Sequence, residues 1–240
     1  MNKQEKKVIL FIVEGPSDEA AIGSIMKNYF ADNTVEFQIV YGDITTNQYV
    51  TIENIIAKIK EQIDIIKERY RYSYSDFKQI IHLTDTDGVF IDDKYVLEKE
   101  PDDNISNKII YYETHMETNN INSTIMRNHK KSEILRKLIS TNKIANIPYK
   151  IYFNSCNLEH ALYGKLYNFT NEEKEYMADD FAEKYKDNID DFIKLITENN
   201  VAIDGNYKQT WQFIQEELNS LNRHSNMNLL FNNDNVKQWK

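Results

Sequence analysis

The chain has 240 residues, 41% hydrophobic and 28% charged, with a formal net charge of −9. That length suits one large domain or one domain with an appended lobe, and a globule of this size needs no covalent staple. A single cysteine, Cys156, excludes an intrachain disulfide and points to a reducing cytoplasm. No run of about 18 apolar residues predicts a membrane span, and the acidic balance argues against holding nucleic acid by bulk electrostatics alone.

The opening MNKQEKKVILFIVEG is basic and then apolar, but its apolar run VILFIV is short and Glu14-Gly15-Pro16 follows at once. Residues 7–13 therefore read as a strand buried on both faces, not as a signal peptide. Ser17 is a candidate N-cap for a helix carrying Ala21, Ile25 and Tyr29 at helical spacing. Residues 35–41 read as a second strand. A long amphipathic helix is predicted near 50–70, with Ile52, Ile55, Ile56, Ile59, Ile63 and Ile66 on one stripe. Residues 78–84 form the third strand, and TDTDG turns out of its end. This β-α-β-α-β order predicts a mostly parallel sheet flanked by helices.

From about 92 to 122 the sequence is polar and crowded with acids and Asn in PDDNISN, which predicts a long functional loop or a mobile one. A basic helix follows at 123–141, then a fourth strand at 148–153 that leads through NSCNLEHALYGKL into another helix. The C-terminal third reads as helical, over 171–199 and 207–221 with a short tail. The expected organisation is a catalytic core over 1–168 with a helical lobe, 169–240, packed on it.

Three strand ends carry carboxylates: Glu14 and Asp18 after the first, Asp85 and Asp87 after the third, Glu159 after the fourth. In a parallel sheet the strand C-termini line one edge, so these acids can converge although distant in sequence. Clustered carboxylates repel and stay ionised only if a cation joins them, and hard oxygen donors suit Mg²⁺ or Mn²⁺. Gly15 would let a substrate phosphate approach the backbone near the N-terminus of the following helix. The basic stretch with Arg127, Lys130, Lys131, Arg136 and Lys137 reads as a solvated helix face or as a phosphate-backbone contact. His82 reads as a core histidine and Cys156 as a small buried residue. Only His160, beside Glu159, is placed near the acids. Trp211, Phe213 and Leu218 read as a core stripe.

VILFIVEGPSDEAAI followed by QIIHLTDTDGV resembles the Toprim fold of topoisomerases, DnaG-type primases, small maturation RNases and OLD-family nucleases. The resemblance spans about residues 7–165 loosely and the motifs closely. It matches Glu14-Gly15 to the glutamate after the first strand and Asp85-Thr86-Asp87 to the later DxD. Asp18 matches the further acid of OLD-type nucleases, and NSCNLEHAL their later segment, which makes Ser155, Asn157 and Glu159 candidates. The resemblance implies a Mg²⁺- or Mn²⁺-dependent nuclease acting on RNA or DNA, with Glu14, Asp85 and Asp87 catalytic and Asp18 and Glu159 completing a second metal site. A late lysine would stabilise developing charge, with Lys165, Lys186 and Lys208 as candidates. No GxxxxGK[ST] segment is present, so the ATPase of such a system would be a separate polypeptide or absent. Freestanding Toprim proteins of this kind resemble effectors of antiphage defence. Two alternatives remain: a haloacid-dehalogenase-type phosphatase using DTDG, and a non-catalytic module that docks on a partner ATPase.

Overall fold

A computed structural model describes residues 7–40, 43–100, 109–198 and 200–231. In chain order the elements are β1 (Val8–Val13), α1 (Pro16–Tyr29), β2 (Thr34–Ile39), α2 (Ile55–Tyr70), β3 (Phe77–Asp85), β4 (Val96–Glu98), β5 (Ile110–Tyr111) and β6 (Met116–Thr118). There follow α3 (Ile121–Ile139), β7 (Lys143–Ile144), β8 (Ile147–Asn154), α4 (Leu158–Tyr163), α5 (Asn171–Tyr185), α6 (Ile189–Thr197) and α7 (Tyr207–Phe213). The chain forms two units, each made of three stretches. One holds residues up to Thr84, Ile134–Tyr152 and Thr170–Phe192; the other holds Asp85–Glu133, Phe153–Phe169 and the residues from Ile193 on.

The first unit is an α/β layer around a mixed, mostly parallel sheet in the order β2-β1-β3-β8-β7. All six residues of β1 are buried, as an apolar, β-branched run without alternation requires of a central strand. β1 pairs in parallel with β2, Phe11 opposite Phe37, and with β3, Leu10 opposite Ile80, while β7 and β8 form an antiparallel hairpin. Phe11 stacks on Phe37 at 5.0 Å between ring centroids, and Phe30 at the end of α1 closes on the same ring. The buried side of α1 presents Ala21, Ile22, Ile25 and Met26. α1 packs on α5, where Ala178, Phe181 and Tyr185 are buried, and Asn28 Nδ2 donates to the Lys186 carbonyl at 2.7 Å.

Helix α2 is shorter than its isoleucine stripe suggests. It starts at Ile55; Ile55, Ile59, Ile63 and Ile66 are buried, whereas Ile52 lies before the helix and is exposed. His82 is buried in β3 with its Nδ1 2.8 Å from the Tyr149 hydroxyl, the satisfied core histidine expected.

The second unit corrects the reading of 92–122 as one long loop. A three-stranded sheet, β4-β6-β5, stands there, with β4 parallel and β5 antiparallel to β6. These strands are two or three residues long, too short for alternation to mark them. PDDNISN itself lies outside the described residues. Met116 of β6 is fully buried in a cluster with Ile91, Val96, Cys156 and Leu221. Trp211 of α7 meets Phe153 edge-on at 4.7 Å, so the tryptophan is core as expected. The long helices expected at 171–199 and 207–221 are each interrupted: the first becomes α5 and α6, and α7 stops at Phe213 before a 3-10 turn at Asn219–Leu221. Among the described residues, no helix is long and apolar enough to cross a membrane.

Candidate functional site

Glu14 is the first residue past β1. Because β1 and β3 are parallel neighbours, with Ile12 opposite His82, Glu14 comes level with Thr84 near the end of β3. The buried Thr84 hydroxyl donates to Glu14 Oε1 at 3.1 Å, which orients the carboxylate at the strand edge. Ser17 is not the helix cap. Gly15 occupies that position with Pro16 in the first turn, and Asp18 does the capping: its Oδ2 accepts from the backbone N–H of Glu14 (3.1 Å) and of Gly15 (2.8 Å). An acid three residues past the cap reaches back to donors that no helical carbonyl can satisfy. Asp18→Ala is therefore expected to lower unfolding stability by about 1 kcal/mol, read from denaturant melts. An unchanged midpoint would show the cap to be dispensable.

Gly15 has ordinary extended backbone, φ −135°, and a Cβ there would meet no atom nearer than 3.7 Å. Neither strain nor crowding within the chain calls for glycine at this position.

In the second unit, Asp85 ends β3 and Thr86-Asp87-Gly88 turns away from it. The Thr86 N–H donates to the Asn154 carbonyl and the Asp87 N–H to the Cys156 carbonyl, both at 2.9 Å. The turn after β3 thus lies alongside the segment after β8, and two of the three predicted acidic strand ends meet. Asp87 and Cys156 both have positive φ, 48° and 21°. Such backbone in non-glycine residues persists only where its surroundings over-determine it. Gly88, at φ +64°, is required as glycine twice over: an added Cβ would stand 2.5 Å from Leu221 Cδ2 and 3.0 Å from Met116 Cε. Gly88→Ala is expected to cost about 1–3 kcal/mol, measured as a fall in the thermal midpoint; a neutral result would mean the turn relaxes freely.

Asp87 is paired. Lys131 Nζ donates to its Oδ2 at 2.8 Å, and the lysine side chain is fully buried while the aspartate side chain keeps 23% exposure. Lys131 is thus no solvated phosphate contact. It lies on the buried stripe of α3 with Thr124, Asn128, Leu135 and Leu138, at helical spacing, whereas Arg136 and Lys137 face outward. Arg127, one turn earlier, donates from Nη2 to the Asp87 carbonyl (3.2 Å) and from Nη1 to the Tyr111 hydroxyl (3.1 Å). Burial raises the Cys156 thiol well above its usual range, and the charges of Asp87 and then Asp85 add to this. That thiol is protonated at neutral pH and is no nucleophile.

Glu159 is buried in the first turn of α4, whose cap is Asn157, with Oδ1 accepting from the His160 N–H at 2.8 Å. The Ser155 hydroxyl is buried and donates to the Ser220 carbonyl at 2.9 Å, which ties the end of β8 to that segment. Lys165 is exposed two residues past the end of α4, and Lys130 is half-buried on α3. His160 Nδ1 lies 3.2 Å from the Ser155 carbonyl, and burial lowers this imidazole below its ordinary value.

The segment Arg223–Asn226, which the sequence offers as reaching the site or a partner, fastens the end of β8. The Ser155 N–H donates to the His224 carbonyl at 2.7 Å, the Phe153 N–H to Asn226 Oδ1 at 2.8 Å, and Arg223 Nε to the Ala161 carbonyl at 3.0 Å. A run of short polar side chains ahead of the apolar MNLLF was the available signal.

The donor set at the strand ends is hard oxygen, which fits a small divalent cation. Within neither unit, among the described residues, do three or more His, Cys, Asp or Glu side chains gather to hold a metal ion. Asp87 is instead neutralised by lysine. No family model, curated protein or solved structure matches the chain.

Proposed function

We propose that the chain is a Mg²⁺-dependent phosphodiesterase of Toprim type that cleaves RNA or DNA through Glu14, Asp85 and Asp87. The observation that carries this reading is the bond from Thr84 to Glu14, because the next residue of β3 is Asp85. Glu14 would serve as ligand or general acid/base, its carboxylate already aimed by Thr84. A divalent ion held by these acids would polarise the phosphodiester and shield the leaving oxyanion. Arg127, half-buried, puts a cation at the Asp87 turn, which suits an anionic backbone approaching a chain of net charge −9. Gly15 leaves its backbone open to a ligand, and Asp18 holds that backbone through its two N–H contacts. Glu159 stands on the segment that hydrogen-bonds the DxD turn, which supports it as a further ligand. A separate ATPase partner and a role in antiphage defence are supported by the Toprim resemblance alone.

The test is incubation with end-labelled single- and double-stranded RNA and DNA in Mg²⁺, Mn²⁺ or EDTA, beside para-nitrophenyl phosphate. Shortened products that vanish in EDTA are expected. Rapid turnover of the nitrophenyl ester with all four polymers intact would replace the nuclease by the phosphatase. Inertness toward everything would leave the docking module.

A further inference from the structure

The second unit contains a cavity of about 310 Å³ whose walls include Tyr111, Tyr112, Leu166, Tyr167, Asn157 and Asn168. Its size is at the low end of the roughly 300–1,000 Å³ typical of small-ligand pockets, suited to one compact planar group. Two of its tyrosines are kept in water: Tyr112 is 39% exposed and Tyr167 64%. Both are braced by a second ring. Tyr112 stacks on His115 at 4.5 Å with planes 10° apart, and Tyr167 meets Phe169 edge-on at 5.2 Å. An exposed aromatic held in place by another ring keeps a face for stacking while losing little conformational freedom on binding.

The polar edge of the cavity is defined by two amides whose orientations their own hydrogen bonds dictate. Asn157 must point Oδ1 at the His160 N–H, and Asn168 must point Nδ2 at the Ile109 carbonyl, 3.2 Å away. What remains among the described residues is the Asn157 Nδ2 donor and the Asn168 Oδ1 acceptor. One donor, one acceptor and tyrosine faces complement a flat heterocycle whose edge carries both groups, and every nucleobase has such an edge. The cavity also adjoins the Asp87 turn: Tyr111 is held by the same Arg127 that binds the Asp87 carbonyl, and Asn157 follows the Cys156 whose carbonyl accepts from Asp87.

We infer that this cavity receives one unstacked nucleobase of a single-stranded nucleic acid, stacked against Tyr112 or Tyr167 and hydrogen-bonded by Asn157 and Asn168. That the base belongs to the polymer being cut rests on the phosphodiesterase reading; the base site itself does not.

Calorimetric titration of the full chain in EDTA with adenosine 5′-monophosphate, and separately with ribose 5-phosphate, tests this without any cleavage. The nucleotide is expected to bind and the baseless sugar phosphate to bind at least about fivefold more weakly. Tyr167→Ala and Tyr112→Ala are each expected to weaken the nucleotide at least about fivefold, the low end of one base–aromatic stack. Tyr176→Ala, at an exposed tyrosine of the first unit, should leave it unchanged. Equal affinity for nucleotide and sugar phosphate, no nucleotide binding at millimolar concentration, or indifference to both cavity substitutions overturns the inference. Because the readout is binding, a chain that takes the base yet cuts nothing keeps the pocket and loses the nuclease. A chain that cuts with unaltered KM after both substitutions keeps the nuclease and loses the pocket.

Discussion

Asp85→Asn is expected to lower metal-dependent kcat/KM on a polynucleotide by at least about a hundredfold while leaving the thermal midpoint close to wild type. Removing a charged metal ligand takes away several kcal/mol of transition-state stabilisation, and each 1.36 kcal/mol is a factor of ten. Asp85 is half-buried at the end of a strand whose preceding residues, Ile80 to Thr84, are buried. The strand is held by its core neighbours, so the loss should fall mainly on chemistry. Two measurements decide it: cleavage rate at saturating Mn²⁺, and Mn²⁺ affinity by electron paramagnetic resonance. A variant with wild-type cleavage removes Asp85 from the site. A variant that loses cleavage only because it melts early assigns Asp85 to the fold.

Lys131→Met should have the largest effect on stability, a loss of about 2–3 kcal/mol. Stripping one partner from a buried ion pair commonly costs about 3–5 kcal/mol because the other charge is left uncompensated. Here the Asp87 side chain retains 23% exposure, so water recovers part of that cost and the figure is discounted. At about 2–4 °C per kcal/mol for a chain of this size, the thermal midpoint should fall by roughly 4–12 °C. Methionine keeps a long, unbranched apolar stem on the buried face of α3, so the change isolates the ammonium. The same variant probes the metal. With Lys131 gone, Asp87 has its carboxylate to offer a cation, and Mn²⁺ should raise the melting temperature of Lys131→Met more than that of wild type. Equal shifts in both proteins would take Asp87 out of the metal-binding set; a wild-type melt in EDTA would make the pair energetically idle.

How much of this was legible beforehand depended on the length of each signal. β1, β3 and α1 follow from runs of six or more residues whose burial pattern is written into their composition. The sheet at β4, β5 and β6 was not, because two- and three-residue strands are specified by the neighbours they pair with. Asp18 was picked out as an acid near Glu14, and it is near, but as the cap of α1; capping boxes and ligand clusters draw on the same residue types at similar spacing. Lys131 sat among four other cations and was grouped with them by composition. Its separation by four and seven residues from Leu135 and Leu138 was the clue that it points inward, since periodicity and not charge decides which side of a helix a residue occupies. Ser155 could not be told from a substrate-binding serine, because its partner carbonyl at Ser220 lies 65 residues on.

The interleaved division of the chain bears on how the protein can be dissected. A cut after residue 168, where the sequence places the start of a helical lobe packed on the core, would take Thr170–Phe192 from one unit and the residues from Ile193 on from the other. Those lost pieces include Phe181, which backs α1, and Asn226, which anchors the end of β8. Limited proteolysis should accordingly yield no autonomous fragment spanning 1–168, and a library of terminal deletions should lose foldedness from the C-terminal side well before residue 200.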